Sequence, residues 1–333
     1  MRPNSEPIFM KYFLSCDWGT TSFRLRLANQ VDGKIIAEEK SDQGIAATFG
    51  SWQQTGKTDT DDRVAFYLNI VELHIKTIEK KTNQSLARVK IVMSGMASSS
   101  IGITDIPYAT GAIAVNGSGI NTTVITATAT FDHDVLIVSG VRILDDVMRG
   151  EETQLIGCIP GADTIENELY IFPGTHSKHI LVKNNQMASI KTYMTGEVFE
   201  LLSQKSILKN SVEISEKSQN LTVFKKGVRD ALDESILHTI FKVRTNHLFD
   251  IYSKEENYNY LSGLLIGAEL AVLKATDAET INLICGANLQ NYYVATVAEL
   301  GLSKTVNTFP MEWVDEAAVR GQLKIARQLE FLT

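Results

Sequence analysis

The start of the chain alternates apolar and polar residues in the manner of β-strands. Residues 12–18 form a mostly apolar run, and residues 23–29 (FRLRLAN) place every second side chain on an apolar face. The dipeptide Asp32-Gly33 is typical of a tight hairpin, and residues 34–39 follow it as a third apolar segment. The pattern predicts an antiparallel meander of three strands.

A helical pattern and two buried strands come next. Residues 62–82 carry apolar side chains at helical spacing over a length that favours a helix. Residues 88–95 (RVKIVMSG) and 135–141 (VLIVSGV) are short apolar runs, which favour buried strands. Residues 151–159 are a short helix candidate. The first half is therefore predicted to begin with three strands, a helix and a strand.

The opening order returns at residue 169, which indicates an internal duplication. Residues 169–174 form an apolar strand ending in a turn, residues 175–183 alternate, and the hairpin dipeptide Asn184-Asn185 leads into a third strand. Repetition of this kind predicts two similar lobes that face each other, here residues 1–165 and 166–333, with the last helix near a short hinge. Further predicted elements are helices at 196–206, 223–241 and 260–275, a strand at 281–286, and helices near 288–301 and 312–329.

Composition limits the partners that the chain can bind. With 333 residues, 44% of them hydrophobic, the chain can bury a substantial core. The net charge of −7 gives no basic surface for nucleic acid or anionic lipid. Cys16, Cys158 and Cys285 lack the spacing of a metal or disulfide motif, and the N-terminal apolar run is too short for a signal or a membrane span. We therefore expect a cytoplasmic protein without nucleic-acid or membrane partners.

Each predicted lobe places glycine and hydroxyl residues in the turn after its first strand. The first turn reads DWGTTS and the second reads PGTHS. Backbone N–H groups in such turns, with hydroxyls beside them, suit phosphate oxygens, and Asp17 adds a carboxylate that can hold Mg²⁺. Glycine and threonine are also common in ordinary hairpins, so the first turn alone favours the structural explanation. The matching turn in the second half favours a shared triphosphate site.

Several motifs resemble those of a known enzyme superfamily. DWGTTSFR, PGTHSK and the GAN turn resemble the phosphate 1, phosphate 2 and adenosine motifs of the actin and hexokinase superfamily of ATPases. More narrowly, VMSGM, VMRGEETQLIG, FPGTHSKHI, MTGEVFELL and YLSGLLIGAEL, in this order over nearly the whole chain, resemble the 2-dehydro-3-deoxygalactonokinase family. The resemblance implies an α/β fold of two RNase-H-like (actin-like ATPase) lobes with a nucleotide cleft between them. It also implies ATP and Mg²⁺ as cofactors.

The resemblance further implies which residues bind the nucleotide. His176 lies within the second turn, so a phosphate contact suits it better than a role as general base. Lys178 can neutralise phosphate charge, although a solvated strand position explains it nearly as well. A strand-to-helix turn capped by asparagine likewise explains residues 286–288. The expected set is Asp17, which is also the expected metal ligand, with Gly19, Thr20, Thr21, Arg24, Gly174, Thr175, His176, Ser177, Lys178, Gly286, Ala287 and Asn288.

Phosphoryl transfer to an alcohol also needs a carboxylate that accepts the hydroxyl proton. GEETQLIG resembles the GDQ segment that carries the catalytic aspartate of related sugar kinases, so Glu151 is the expected base and Glu152 is its close rival. Both acids would also suit the first turn of a helix without any chemistry. Arg149 is expected to bind the substrate carboxylate or the transferred phosphoryl group, and a salt bridge to Glu152 or Asp146 is the structural alternative.

Small residues at the end of the strand at 88–95 suggest where a substrate binds. Gly95, Met96 and Ala97 would let a polyhydroxy compound approach the backbone closely, and a flexible surface loop is the alternative. By resemblance, the substrate is 2-dehydro-3-deoxy-D-galactonate, phosphorylated on its 6-hydroxyl in galactonate breakdown. The alternatives are a kinase for another sugar or sugar acid, such as the epimeric 2-dehydro-3-deoxygluconate, and a non-catalytic nucleotide-switched binding protein. A homodimer is compatible with each of them.

Overall fold

The computed structural model describes residues 11–160, 164–214 and 220–332, and the chain divides into two compact units. The first unit comprises the described parts of Met1–Thr164, Asn185–Ala188 and Asp315–Thr333, and the second comprises those of Ile165–Asn184 and Ser189–Val314. Within the described ranges, no helix combines the length and the apolar character needed to cross a bilayer.

The strands and helices follow each other in mixed α/β order. The strands are β1 (Tyr12–Trp18), β2 (Phe23–Asn29), β3 (Ile35–Ser41), β4 (Ile91–Gly95), β5 (Thr122–Ile125), β6 (Val135–Val138), β7 (Val141–Ile143), β8 (Asp146–Met148), β9 (Asn167–Phe172), β10 (Ser177–Lys183), β11 (Gln186–Tyr193), β12 (Thr280–Leu283) and β13 (Thr305–Thr308). The helices are α1 (Ile45–Gln54), α2 (Thr60–Thr82), α3 (Glu151–Cys158), α4 (Thr195–Lys205), α5 (Leu221–Asp233), α6 (Ile236–Leu248), α7 (Lys254–Leu270), α8 (Ala287–Glu299), α9 (Met311–Asp315) and α10 (Ala317–Gln328). Short 3-10 helices span Met96–Ser98, Ile207–Asn210 and Ala271–Ala275.

The first unit is built on a mixed sheet with the strand order β3-β2-β1-β4-β6-β5. β1, β2 and β3 pair antiparallel, whereas β1, β4 and β6 run parallel. The predicted meander is therefore confirmed, and β1 and β2 have the predicted bounds. α2 packs its buried apolar side chains into the core of this sheet, and Asp59 caps its start by accepting from two backbone N–H groups.

The second unit repeats this topology with the strand order β11-β10-β9-β12-β13. β9 and β10 pair antiparallel, and β11 follows β10 as a hairpin and lies beside it in the sheet. β9, β12 and β13 run parallel. Asn184 and Asn185 have φ values of +50° and +60°, as a tight hairpin between β10 and β11 requires. Because both sheets place a three-stranded meander beside parallel strands, the predicted RNase-H-like fold is confirmed for each half.

Two predicted helices are divided in the structure, and one observed helix was not predicted. The helix predicted at 223–241 is two helices, α5 and α6, because the backbone is extended at Glu234 and Ser235. The helix predicted at 312–329 is likewise divided into α9 and α10. α1 was not predicted, although its buried residues Ile45, Thr48 and Trp52 stand at the spacing of one helix face.

The division into units also differs from a single boundary at residue 165. The main boundary lies one residue earlier, but α10 belongs to the first unit and not to the second. The reason is packing, because α10 buries its apolar face against α3 and against the strands of the first sheet.

Candidate functional site

Three chain segments of the first unit converge beside the end of β1. Asp17 and Trp18 lie opposite Ser94 and Gly95 in the parallel pairing of β1 with β4. Gly95 has a φ of +85°, and Gly150, just before α3, has a φ of +112°, values that other residues rarely adopt. A Cβ atom on Gly95 would lie 3.3 Å from Asp17 Oδ1, and one on Gly150 would lie 3.4 Å from the Gly95 Cα atom. The two glycines thus bring the start of α3 close to the Asp17 carboxylate.

α3 is held in this position by a close crossing with α10. A Cβ atom on Gly321 would lie 1.8 Å from the Thr153 carbonyl oxygen, and one on Gly157 would lie 1.8 Å from the Ala317 carbonyl oxygen. Gln322 of α10 is fully buried and donates at 2.9 Å to a β1 carbonyl oxygen and to a serine hydroxyl of β4. α10 therefore connects α3 to the two strands whose ends form the site.

The two acids at the start of α3 have different surroundings. Glu152 is fully buried, and its carboxylate accepts hydrogen bonds from Gly150 N at 2.7 Å and from Thr153 Oγ1 at 3.0 Å. Burial and the neighbouring Glu151 charge raise the pKa of Glu152 to about 7, although these hydrogen bonds oppose the rise. Glu151 is partly exposed, and its carboxylate accepts from the Arg149 backbone N–H at 3.1 Å. Glu151 is therefore the more accessible of the two acids.

Arg149 is fixed at the strand ends by backbone and aromatic contacts. Its Nη1 donates to the carbonyl oxygen and, at 2.6 Å, to the hydroxyl of Ser98. Its guanidinium carbon lies 4.2 Å from the centroid of the Tyr108 ring. Its Nε is buried and has no hydrogen-bond partner among the described residues. The side chain is thus held in place, and its contacts with Ser98 and Tyr108 do not use the Nε donor.

The predicted substrate strand end is only partly accessible. Ala97 is fully buried, and its carbonyl oxygen already accepts from the Ile103 N–H at 2.9 Å. Met96 is partly exposed, whereas Gly95 is buried against the end of β1. A ligand that reached this strand end would therefore meet Met96 before Ala97.

The first predicted phosphate turn packs against the start of α1. Two N–H groups of α1 donate to the carbonyl oxygens of Gly19, at 2.9 Å, and Thr20, at 3.1 Å. The Gly19 N–H itself donates to the Ser22 carbonyl oxygen at 2.9 Å. Thr20 and Thr21 are exposed. The threonines, more than the glycine N–H, can therefore meet a ligand.

Arg24 lies in an ion-pair network of the first unit. Its Nη1 donates to Asp315 Oδ1 at 3.0 Å, and the buried Arg26 donates to the same carboxylate and to Glu38, each at 2.5 Å. Burial raises the pKa of Asp17, while the positive charges of Arg24 and Arg26 oppose that rise. Because Arg24 already has an anionic partner in the fold, we leave it out of the proposed nucleotide contacts.

In the second unit, the turn between β9 and β10 is exposed and rests on the start of α4. Gly174, Thr175 and His176 are all exposed, and a Cβ atom on Gly196 would lie 2.6 Å from the Gly174 carbonyl oxygen. The Glu197 N–H donates to the Thr175 carbonyl oxygen at 3.0 Å, and Glu197 Oε2 lies 2.5 Å from His176 Nε2. The start of α4 therefore sets the position of the turn.

Ser177 and Lys178, unlike the turn, are buried residues of β10. Ser177 is fully buried, and its hydroxyl donates to Glu269 Oε1 at 2.7 Å. Lys178 is only 7% exposed. The sequence predicted that Ser177 contacts the nucleotide. In the structure its hydroxyl faces the interior and donates to Glu269 instead.

A cavity of about 300 Å³ in the second unit adjoins this turn. Gly286 is the N-cap residue of α8, Ala287 begins the helix, and the exposed Asn288 precedes Leu289 of the cavity wall. The predicted phosphate 2 turn thus lines the cavity through Gly174 and Thr175, whereas the predicted adenosine turn ends one residue before Leu289 of its wall. The lining residues are Gly174, Thr175, Thr195, Gly196, Phe199, Tyr258, Ser262, Leu265, Ile266, Leu289, Tyr292 and Tyr293.

Sequence reasoning missed the buried acid behind this cavity. Glu269 of α7 is 4% exposed and accepts from Ser177, His179 and Tyr293. One feature of the sequence could have indicated it, the acid inside the otherwise apolar run YLSGLLIGAEL. An acid in a buried helix needs hydrogen-bond partners, so it points to a buried polar cluster.

The chain is similar in sequence and in fold to proteins of one enzyme family. A family model described as 2-keto-3-deoxy-galactonokinase matches residues 17–325. This chain belongs to that family. The chain is 28% identical over 300 residues to the 2-dehydro-3-deoxygalactonokinase of Escherichia coli (strain K12), covering 88% of this chain and 91% of the relative. It is also similar to a crystal structure from Sinorhizobium meliloti that bears the same enzyme name, with a TM-score of 0.79 and 27% identity over 96% of this chain and 99% of the other.

Membership of the 2-keto-3-deoxy-galactonokinase family settles the class of reaction. The chain is an ATP-dependent phosphotransferase with an alcohol group as acceptor, and the predicted family is confirmed. A binding protein without catalytic activity, the alternative from another class, is not supported by these relatives.

Proposed function

We propose that this chain transfers a phosphoryl group from ATP to the 6-hydroxyl of 2-dehydro-3-deoxy-D-galactonate in galactonate catabolism. The observation that carries the proposal is the convergence, in the first unit, of the Asp17 carboxylate, the Gly95 strand end and the acidic start of α3. Such a cluster supplies a carboxylate for a metal, a partly accessible strand end at Met96 for a polyhydroxy compound and a proton acceptor.

Glu151 is the proposed general base. A base must come within hydrogen-bond distance of the hydroxyl that it deprotonates, and Glu151 is partly exposed whereas Glu152 is fully buried. The pKa of Glu152, raised to about 7, would suit a base, but its carboxylate is occupied by Gly150 and Thr153. We assign to Glu152 the task of fixing the Gly150 turn, and thereby the direction in which α3 begins.

Arg149, Gly95 and Met96 are the proposed contacts of the sugar acid. Ser98 and Tyr108 hold the Arg149 guanidinium in place, and its remaining donors suit a carboxylate of the substrate. A planar guanidinium that is held before binding loses little side-chain entropy when the ligand arrives. The transferred phosphoryl group is the other anion that Arg149 can bind.

The cavity of the second unit is the proposed nucleotide pocket. Its aromatic and aliphatic walls, from Phe199 to Tyr293, suit a purine base, and the exposed turn at 174–176 suits phosphate oxygens. α4 begins beneath this turn, so its positive helix end favours an anion there. In the first unit, the exposed Thr20 and Thr21 are proposed phosphate contacts.

The residues around Asp17 fit a magnesium ion. A glycine at position 95 leaves space beside Asp17 Oδ1 that a Cβ atom would fill at 3.3 Å. Mg²⁺ is commonly held by one or two carboxylates together with water and phosphate, so the single carboxylate of Asp17 suits this ion. When bound, the ion supplies charge neutralisation for the phosphates.

We also propose that the enzyme works in the cytoplasm. Cys16, Cys158 and Cys285 are buried thiols, which suits a reducing compartment. The homodimer stays a prediction, and light scattering of the purified chain tests it.

The test is turnover of defined sugar acids by the purified chain. We expect ATP-dependent ADP release with 2-dehydro-3-deoxy-D-galactonate, a much lower kcat/KM with the gluconate epimer, and a phosphorus NMR signal coupled to the C6 protons of the product. Glu151→Gln should lower kcat by at least about 100-fold with little change in the KM for ATP, because it removes a proton acceptor and no phosphate contact.

The matched control is Glu72→Gln, the same chemical change at a partly exposed acid on α2 that pairs with Lys76. It should leave kcat unchanged. Equal activity on both epimers would refute the assigned substrate, and a normal kcat in Glu151→Gln with a lost kcat in Glu152→Gln would move the base to Glu152.

A further inference from the structure

Glu269 joins four elements that surround the nucleotide cavity of the second unit. Its carboxylate accepts from Ser177 Oγ at 2.7 Å and His179 Nε2 at 2.9 Å, both on β10, and from the Tyr293 hydroxyl of α8 at 2.9 Å. It also accepts a hydrogen bond from the Thr195 side chain at the start of α4. Glu269 itself lies on α7, so one side chain ties together β10, α4, α7 and α8.

Each of these donors is placed to affect the cavity. Tyr293 and Thr195 line it directly, and Ser177 immediately follows the exposed turn whose Gly174 and Thr175 also line it. Glu269 does not line the cavity and is 4% exposed. It therefore acts on a bound ligand only through the residues that it holds.

An ionised carboxylate satisfies all four of these donors at once. Four donors converge on its two oxygens, and a carboxylate offers about four acceptor sites whereas a glutamine amide offers two. Burial alone would raise the pKa of Glu269, but the hydrogen bonds from His179, Thr195 and Ser177 lower it. The acid is thus charged at neutral pH and fully used by its partners.

We propose that Glu269 is a positioning residue for the nucleotide, which sets the 174–176 turn and the Tyr293 wall in the geometry that binds ATP. This inference rests on the proposed assignment of the cavity to the nucleotide. In Glu269→Gln the amide nitrogen accepts no hydrogen bond, so the donors that face it must reorient or lose their acceptor, and the turn and the walls are held less firmly. The expected effect is on ATP binding and not on the chemistry at α3.

The test compares Glu269→Gln with Asp230→Asn. Asp230 is a matched control, since it is a buried carboxylate of the same unit that accepts from a tyrosine, Tyr260, at 2.6 Å, and it does not line the cavity. Both variants should lower the melting temperature. Only Glu269→Gln should weaken binding of the non-hydrolysable analogue AMP-PNP, measured by calorimetry without sugar acid, by roughly 10- to 100-fold, the range for a lost hydrogen bond to a charged group.

Kinetics supply a second readout. In Glu269→Gln the KM for ATP should rise with the dissociation constant, while kcat at saturating ATP and the KM for the sugar acid change less than about threefold. Should Glu269→Gln not fold, Ser177→Ala is measured instead. It removes one of the four donors and leaves the carboxylate in place, so it should raise the dissociation constant of AMP-PNP by about threefold or more, and by less than Glu269→Gln.

Two outcomes overturn the proposal: wild-type affinity for AMP-PNP in a folded Glu269→Gln or Ser177→Ala protein, or an equal loss of affinity in Asp230→Asn. Failure of the proposed function looks different. Wild-type protein would then bind AMP-PNP, with the affinity dependent on Glu269, but would phosphorylate neither sugar acid.

Discussion

Glu152 is a fully buried acid, and its replacement by glutamine tests whether burial controls its ionisation. Burial and the Glu151 charge raise its pKa from the ordinary value of 4.5 to about 7. Glutamine has nearly the same shape and is neutral at every pH. Its amide oxygen can accept from the Gly150 N–H, and the Thr153 hydroxyl can turn to accept from the amide nitrogen.

The sign of the effect follows from proton binding. Below pH 4.5 both the folded and the unfolded chain hold the proton at Glu152, so its raised pKa costs nothing. Between pH 4.5 and about 7 the unfolded chain releases the proton while the folded chain keeps it, so the free energy of unfolding falls as the pH rises. Above that window both states are ionised and the cost is constant.

The raised pKa of Glu152 lowers the free energy of unfolding by about 3 kcal/mol, since each pKa unit corresponds to about 1.4 kcal/mol. Glu152→Gln should therefore gain about 3 kcal/mol of stability relative to wild type between pH 4.5 and pH 8. Other titrating groups are common to both proteins and cancel in the difference. Urea unfolding followed by tryptophan fluorescence measures it mainly in the first unit, because two of the three tryptophans, Trp18 and Trp52, are buried in the core of that unit.

A constant difference in unfolding free energy between the two proteins across this pH range would refute the reasoning. Glu151→Gln provides an internal check. It removes a neighbouring charge that raises the pKa of Glu152, so the pH dependence of its stability should be smaller than that of wild type.

Two further predictions concern the surroundings of α3. Asp17→Asn should lower magnesium-dependent kcat at least about tenfold and raise the Mg²⁺ concentration needed for half-maximal activity, and an unchanged magnesium titration would contradict its role. Gly321→Ala should destabilise the first unit by about 1–3 kcal/mol in urea unfolding, because the added Cβ would lie 1.8 Å from the Thr153 carbonyl oxygen and force α10 away from α3. Wild-type stability of Gly321→Ala would show that the crossing is looser than described.

Local patterns were sufficient for most of the strand framework. β1 and β2 were predicted with their observed bounds, because the apolar run at residues 12–18 and the alternation at residues 23–29 are properties of neighbouring residues. The Asp32-Gly33 turn marked the hairpin that leads from β2 to β3 for the same reason. The hairpin at Asn184-Asn185 was predicted for the same reason, since asparagine tolerates positive φ. The family was recognisable because its motifs are long and stand in order along the chain.

Helix ends were predicted less well, because the deciding contacts are not periodic. α5 and α6 share one apolar period, and only the extended backbone at Glu234 and Ser235 separates them. α7 begins at a capping box formed by Ser253 and Glu256, which lies before the apolar run that the prediction used.

The sequence by itself determined the repeated three-stranded meander, the polar turns at its strand ends and the kinase family, since these depend on local periodicity and on motif order. Only the tertiary structure decided which of two adjacent acids is buried. Glu151 and Glu152 are neighbours with the same chemistry, and their exposure depends on how α10 presses α3 against the strand ends. The same holds for Ser177 and Glu269, which lie far apart in the chain and become partners only when α7 packs on β10. Burial and pairing of charged groups are properties of packing, and no local pattern contains them.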